Sequence, residues 1–339
     1  MPTTVRSFSK INLGLAIGPA RADGYHSLTT CYQTLAAHDL VTVEAAPAGQ
    51  TALEITCTDP RVPADATNTA WKIVDLALRS LGVTAQVHIH IDKRLPVQGG
   101  LGAGSANAVA ALLALEAELA TPLPAPERLR LAALVGSDVP LFLIGGAVLG
   151  VGRGEEVYPL PDIPPTECAL ALPDIGVSTP QAFRDWDALH APAANSQLTP
   201  SYPSDTLSTL SRALASAFCP GSAAHSSGVS ASRGDQFESS LLALVRTGME
   251  NDFEEVVFRL HPSLGTIKRI LAGSDHSEAI CAALSGSGSA LFGLYGTPEA
   301  AAAAEARLAQ SGIRSLRTQT LPRDEYWKLM KWGPATKNQ

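Results

Sequence analysis

Several common protein classes require features that this sequence lacks. No lysine- or arginine-rich run appears, and the formal net charge of -7 with an isoelectric point near 5.6 argues against nucleic acid as a bulk partner, since phosphate backbones are gripped by clustered cations. The five cysteines (Cys31, Cys57, Cys168, Cys219, Cys281) are scattered, odd in number and without C-x-x-C spacing. They indicate neither a disulfide framework nor a zinc site, and they fit a reducing compartment. No apolar run approaches the ~18 residues of a membrane helix, and residues 1–9 are too short for a signal or transit peptide. The expectation is a soluble, cytoplasmic protein without a membrane partner, as monomer or homodimer. At 339 residues, 45% of them hydrophobic, the chain can bury a full core, and two domains sharing one cleft is the default.

What the chain does have is a glycine-rich stretch, Pro96-Val97-Gln98-Gly99-Gly100-Leu101-Gly102-Ala103-Gly104-Ser105-Ala106-Asn107. Four glycines in six positions let backbone N–H groups converge on an anion. The run Ala108 to Leu119 lacks Gly and Pro and stops at Thr121-Pro122, so the loop opens onto a helix N-terminus that favours negative charge. Before it, Val87, Ile89 and Ile91 alternate with Gln86, His88 and His90 as in a strand with one buried face. A Walker A loop is excluded because no lysine follows Gly104, and a dinucleotide fingerprint because Asn107 stands where its third glycine belongs. A simple tight turn is the plain alternative.

Further along, Ile11, Leu13 and Leu15 take one face of a strand and Lys10, Asn12 and Gly14 the other. Lys10 reads as a site lysine or as a solvated edge lysine. The Asp23-Gly24 turn presents Tyr25 and His26 side by side, either for a flat base or for core packing. Residues 41–56 read as strands. Asn68 reads as the N-cap of a helix that ends at Leu81 with Gly82 as its stop. A helix over 127–135 ends at Gly136, and Asp138, just before Val139-Pro140, has the look of an N-cap. Arg153, in a glycine turn, reads as a solvated arginine or as a phosphate contact. The prolines at 159–165 mark a domain boundary. Residues 191–236, rich in Ser, Ala, Pro and Gly, carry no assigned function. Helices over 236–247 and 252–260, a further helix ending at Ala272 and a strand then lead to Leu284-Ser285-Gly286-Ser287-Gly288-Ser289-Ala290.

The pattern Pro-x-x-x-Gly-Leu-Gly-x-Gly-Ser-Ala resembles the phosphate loop of the GHMP kinases. The ordered set Ser9 to Leu13, Asp23 to His26, Pro96 to Asn107 and Gly136 to Pro140 resembles the branch that phosphorylates a cytidine diphosphate-linked methylerythritol in the non-mevalonate isoprenoid pathway. The stretch 284–290 resembles the superfamily's third glycine motif. The resemblance implies an α+β, two-domain GHMP kinase fold: a ribosomal-protein-S5-domain-2-like ATP-binding domain over 1–163, and a ferredoxin-like α/β sandwich over 164–325 with an insertion at about 191–236. It implies Lys10 and Asp138 as catalytic residues. The ATP site would be Pro96, Gly99, Gly100, Leu101, Gly102, Ala103, Gly104, Ser105, Ala106 and Asn107, with Asn68 near the adenine and Ser105 also reaching Mg2+. The acceptor site would be Asn12, Tyr25, His26, Tyr32, Thr179, Phe183, Gly286 and Ser287, the cytosine lying between Tyr25 and Phe183. Two residues depart from the family: Gln98 stands where glycine is common and Ser137 where alanine is. Other GHMP kinases, of homoserine or mevalonate type, share the glycine motifs but not the Tyr25, His26 and Phe183 set. A non-catalytic homologue would not need Lys10 and Asp138.

Overall fold

The computed structural model describes residues 2–190, 250–273 and 279–330. The insertion expected at 191–236 and the helix expected over 236–247 lie outside these residues. Two long strands, β1 (Thr3–Ala20) and β2 (His26–Pro47), form an antiparallel ribbon. Its ladder places Lys10 against Thr34 and Asn12 against Tyr32, but steps over Leu13, because Gly14 pairs with Cys31. This bulge re-aims the strand beside a polar cluster, a position where bulges recur. Directly paired residues project to the same face, so Asn12 and Tyr32 come together across the ribbon, and Lys10 joins them from the same strand.

With β3 (Ala52–Cys57), β4 (Ala85–Asp92), β5 (Ala147–Val151) and β6 (Glu156–Pro159) the ribbon completes a six-stranded sheet in the order β3-β4-β2-β5-β6, with β1 on β2. Helices α1 (Thr69–Leu81), α2 (Ala103–Glu118) and α3 (Ala125–Val135) belong to this half, and the buried side chains of α1 and α2 share one core with those of β2 and β4. As expected, the Asn68 side chain caps α1, accepting from Ala70 N at 2.9 Å, and Gly82 ends it in the left-handed conformation. α2 starts five residues earlier than the apolar run suggests. It is buried almost all round, and its many alanines give little side-chain bulk, as a helix enclosed in a core requires.

A second, four-stranded antiparallel sheet runs β10 (Ser315–Gln319), β7 (Glu167–Ala171), β9 (Leu291–Tyr295), β8 (Cys281–Leu284). Its core takes in α4 (Thr179–His190) and the helices Phe253–Leu260, Pro262–Ala272 and Pro298–Gln310. A third cluster joins the sheets: Ile11 and Leu13 of β1 meet Cys168 and Leu170 of β7 and Phe292 and Leu294 of β9. Each such fully buried aliphatic or aromatic side chain contributes about 1.5–3 kcal/mol. The helix Arg323–Met330 returns to the first sheet, where Tyr326 donates to the Phe142 carbonyl at 2.7 Å and Trp327 to that of Ile144 at 2.9 Å. Two α+β halves, each with its own sheet, are the architecture expected. Among the described residues no helix is long and apolar enough to cross a membrane.

Candidate active site

The glycine loop reaches α2 through two left-handed residues, Gly100 (φ 76°) and Gly102 (φ 68°). A side chain at Gly100 would overlap the Ser285 carbonyl, and one at Gly102 would stand 2.9 Å from Phe142 Cζ and 3.0 Å from Lys10 Cγ. Glycine is therefore required by contact as well as by φ at both positions. Gln98 also has positive φ, 60°, a conformation that glycine adopts without strain. Gly102 caps α2 without a side-chain hydrogen bond, so the first-turn N–H groups of Ala103, Gly104 and Ser105 have no intrahelical partner. Such free amides, with the helix dipole behind them, favour negative charge. Beside them is a cavity of about 440 Å³, lined by the loop from Pro96 to Ser105 together with Val62, Pro63, Thr67, Asn68, Thr69, Lys93 and Asn107.

Two of these residues also hold the chain itself. Asn68 donates to the Pro63 carbonyl at 2.8 Å while capping α1, and Asn107 accepts from Ser7 Oγ at 2.6 Å, joining α2 to β1.

Lys10 runs beneath this loop. Its backbone N–H bonds the Leu101 carbonyl at 3.0 Å, and its side chain is 2% exposed. The ammonium donates to Asn12 Oδ1 at 2.7 Å and lies 3.3 Å from Asp138 Oδ2. Asn12 passes the order on to Thr30 Oγ at 2.8 Å, and Thr30 donates to the Gly14 carbonyl beside the bulge at 2.8 Å. Asp138, by contrast, does not cap the short helix that follows. Val139 occupies that position with no side-chain bond, and the carboxylate instead accepts from Tyr32 Oη at 3.0 Å. Burial, and then the neighbouring Asp138 charge, push the Tyr32 phenol well above its usual range, so it remains a donor.

The third glycine motif closes the site from the second sheet. Ser285 Oγ donates to the Gly100 carbonyl at 2.9 Å, and Ala290 N to that of Gly99 at 3.1 Å. A Cβ on Gly286 would be 3.5 Å from both Lys10 Nζ and Asn12 Oδ1. Ser287 shares a 2.7 Å hydrogen bond with Thr179.

Asn251 had not been expected. Its amide donates to the carbonyls of Leu284 (2.9 Å) and Gly286 (2.8 Å), setting the shape of that motif. The Asn-Asp pair ahead of the helix Phe253–Leu260 was the available signal.

The aromatic group is arranged differently from a plain Tyr25–Phe183 pair. Phe183 lies parallel to His26, with ring centres 5.3 Å apart and 8° between planes, and Phe253 meets its edge. Both His26 nitrogens are engaged, Nδ1 with the Gly18 carbonyl at 2.9 Å and Nε2 with Asp187 at 3.1 Å, so its ring serves as support rather than as a free donor. Tyr25 is 52% exposed. Arg153 is neither freely solvated nor an isolated anion contact: it pairs with Glu155 and covers one face of Tyr25.

Comparison with known proteins shows the family. The profile of the GHMP kinases N terminal domain matches residues 68–146, and that of the GHMP kinases C terminal domain residues 236–314. A 4-diphosphocytidyl-2-C-methyl-D-erythritol kinase of Solibacter usitatus is 35% identical over 295 residues, covering 86% of this chain and 80% of the relative. Its counterpart in Rhodococcus jostii is 34% identical over 323 residues, covering 95% and 93%. The crystal structure of a 4-(cytidine 5'-diphospho)-2C-methyl-D-erythritol kinase superposes with a TM-score of 0.66 at 27% identity, over 94% of this chain and 98% of that one. A homoserine kinase from Cytophaga hutchinsonii matches with a TM-score of 0.67 at 18% identity, over 96% of each chain, a likeness of fold alone. With two glycine loops locked together over a lysine–carboxylate pair and relatives this similar along nearly their whole length, the chain belongs to the 4-diphosphocytidyl-2-C-methyl-D-erythritol kinase family of the GHMP kinases.

Proposed function

We propose that the protein transfers the terminal phosphoryl group of ATP to the 2-hydroxyl of 4-diphosphocytidyl-2-C-methyl-D-erythritol, as a cytoplasmic enzyme of non-mevalonate isoprenoid synthesis. The observation that carries this reading is the convergence of Lys10, Asn12 and Asp138 where the two glycine motifs meet. Phosphoryl transfer asks a protein mainly for alignment and charge neutralisation. The first-turn amides of α2 and the loop before it hold the phosphates of the donor. Asp138, fixed by Tyr32 and Lys10, accepts the proton of the acceptor hydroxyl, and the Lys10 ammonium faces the negative charge of the transferring group. Residues 1–163 would then carry the donor site and 164–325 much of the acceptor site, with Thr179, Phe183, Gly286 and Ser287 on the acceptor side.

Mg2+ bound with ATP neutralises phosphate oxygens. Among the described residues no cluster of three or more His, Cys, Asp or Glu side chains is arranged to hold a metal. An ion carried mainly by the phosphates of ATP would take the Ser105 hydroxyl, in the first turn of α2, as its protein ligand.

An ADP-release assay tests the proposal. Turnover is expected with ATP and the cytidine-linked acceptor and not with homoserine or mevalonate; the reverse pattern would reject the substrate assignment.

A further inference from the structure

Arg153 stands at the tip of the turn between β5 and β6, flanked by the left-handed Gly152 and Gly154. One carboxylate grips it twice: Glu155 Oε1 accepts from its Nε at 3.1 Å and Oε2 from its backbone N–H at 2.6 Å. The bond to Glu155 raises Arg153 further above its already high range, so the side chain is a fixed cation. Its guanidinium carbon lies 4.9 Å from the centre of the Tyr25 ring, and Asp23, paired with Arg21, completes the charged surroundings of that turn. The two rings assigned to the acceptor's pyrimidine are thus alike in one respect. Phe183 rests one face on His26, and Tyr25 has one face under Arg153.

We propose that Arg153, steered by Glu155, is a positioning residue of the acceptor pocket that holds the Tyr25 ring so that its open face stacks on the pyrimidine of a cytidine diphosphate-linked acceptor. This rests on the reading of Tyr25 as a stacking partner. A half-exposed tyrosine on an Asp-Gly turn would otherwise lose rotamer freedom each time the acceptor binds, a cost that pre-ordering removes. A planar guanidinium is suited to the task, since it stacks on the ring and attracts its π face at once.

The test uses Arg153→Met and Tyr25→Ala, singly and together, in the full-length enzyme, with KM for the acceptor, KM for ATP and kcat measured for each. Arg153→Met is expected to raise the acceptor KM about 3- to 10-fold, the size of the ordering of one side chain that the brace no longer holds in place. kcat and the ATP KM should be unchanged. Tyr25→Ala is expected to raise the acceptor KM further, and the double variant to match Tyr25→Ala alone, because the brace has nothing left to hold. Arg153→Lys should recover part of the loss. A normal acceptor KM in Arg153→Met beside an impaired Tyr25→Ala would remove the brace and leave the pocket standing. Fully additive effects would show that Arg153 acts independently of Tyr25 and overturn the proposal. A normal acceptor KM in Tyr25→Ala would overturn the pocket reading and the brace with it.

Discussion

Tyr32 donates a 3.0 Å hydrogen bond to Asp138 Oδ1 while Lys10 stands 3.3 Å from Oδ2, so each oxygen of the carboxylate is fixed by a different neighbour. Tyr32 is itself buried and pinned opposite Asn12 by the ribbon register. Removing its hydroxyl in Tyr32→Phe takes away a hydrogen bond to a charged group, which is worth about 1.5–3 kcal/mol. The expected result is a fall in kcat of roughly tenfold or more, with the ATP KM unchanged. Steady-state kinetics checks it, and an unaltered kcat would mean that Lys10 alone orients the carboxylate.

Asp138→Asn keeps the shape of the site and removes the proposed proton acceptor. Turnover should drop by about 10²–10⁴-fold. Nucleotide binding, which the proposal assigns to the loop amides, should stay within roughly twofold of the wild type. Calorimetric titration with a non-hydrolysable ATP analogue, alongside single-turnover rates, separates the two; a variant retaining most of its rate would take Asp138 out of the chemistry.

The clasp between the glycine motifs gives a paired prediction. At Gly100 a methyl group would meet both positive φ and the Ser285 carbonyl, whereas at Gly99 it would meet Pro96 Cγ at an ordinary 3.5 Å. Gly100→Ala should therefore cost about 2 kcal/mol or more and raise the ATP KM, and Gly99→Ala should be tolerated. Thermal unfolding of the two variants tells them apart; equal melting points would show that the two motifs are free to separate.

Alkaline pH should destabilise the fold. Burial pushes the Cys31 thiol up to about 12 and the Cys168 thiol well above its usual range, and it raises the phenols of Tyr32 and Tyr326 likewise. Above about pH 9 the unfolded chain releases these protons first. It then binds fewer protons than the native state, so unfolding free energy falls with rising pH. Each such group removes about 1.4 kcal/mol per pH unit once its unfolded form ionises. The stability is intact below pH 9 and is lost progressively toward pH 12. Melting points at pH 7.5, 9 and 10.5 should decline with increasing slope, and Cys31→Ala should decline less steeply than its parent.

How much of this could be read from the residues depended on distance along the chain. The polar face of Lys10 and Asn12 follows from strand periodicity, and the capping roles of Asn68 and Gly82 from local turn chemistry. The bulge at Leu13 leaves no such trace, since a one-residue shift is set by pairing with β2. The apolar run points to a later start for α2 because Gly104 and Ser105 are weak helix formers, and burial of the whole helix outweighs that preference. Asn251 acts on carbonyls 33 and 35 residues away, and the Phe183–His26 stack joins α4 to β2. Contacts of that range belong to tertiary packing. Asp138 was placed by resemblance; its nearest local pattern, a helix cap, pointed elsewhere.

The helix Arg323–Met330 shows what the order of synthesis entails. Tyr326 and Met330 fill the same core as α1 and α2, and Arg323 reaches the carbonyls of Gly145, Ala147 and Leu160. On a ribosome, the portion that emerges first must wait for this much later segment before its interior is sealed. A chain stopped short of that helix would leave an open greasy seam beside α1 and α2, and supplying the missing helix as a separate peptide should close it.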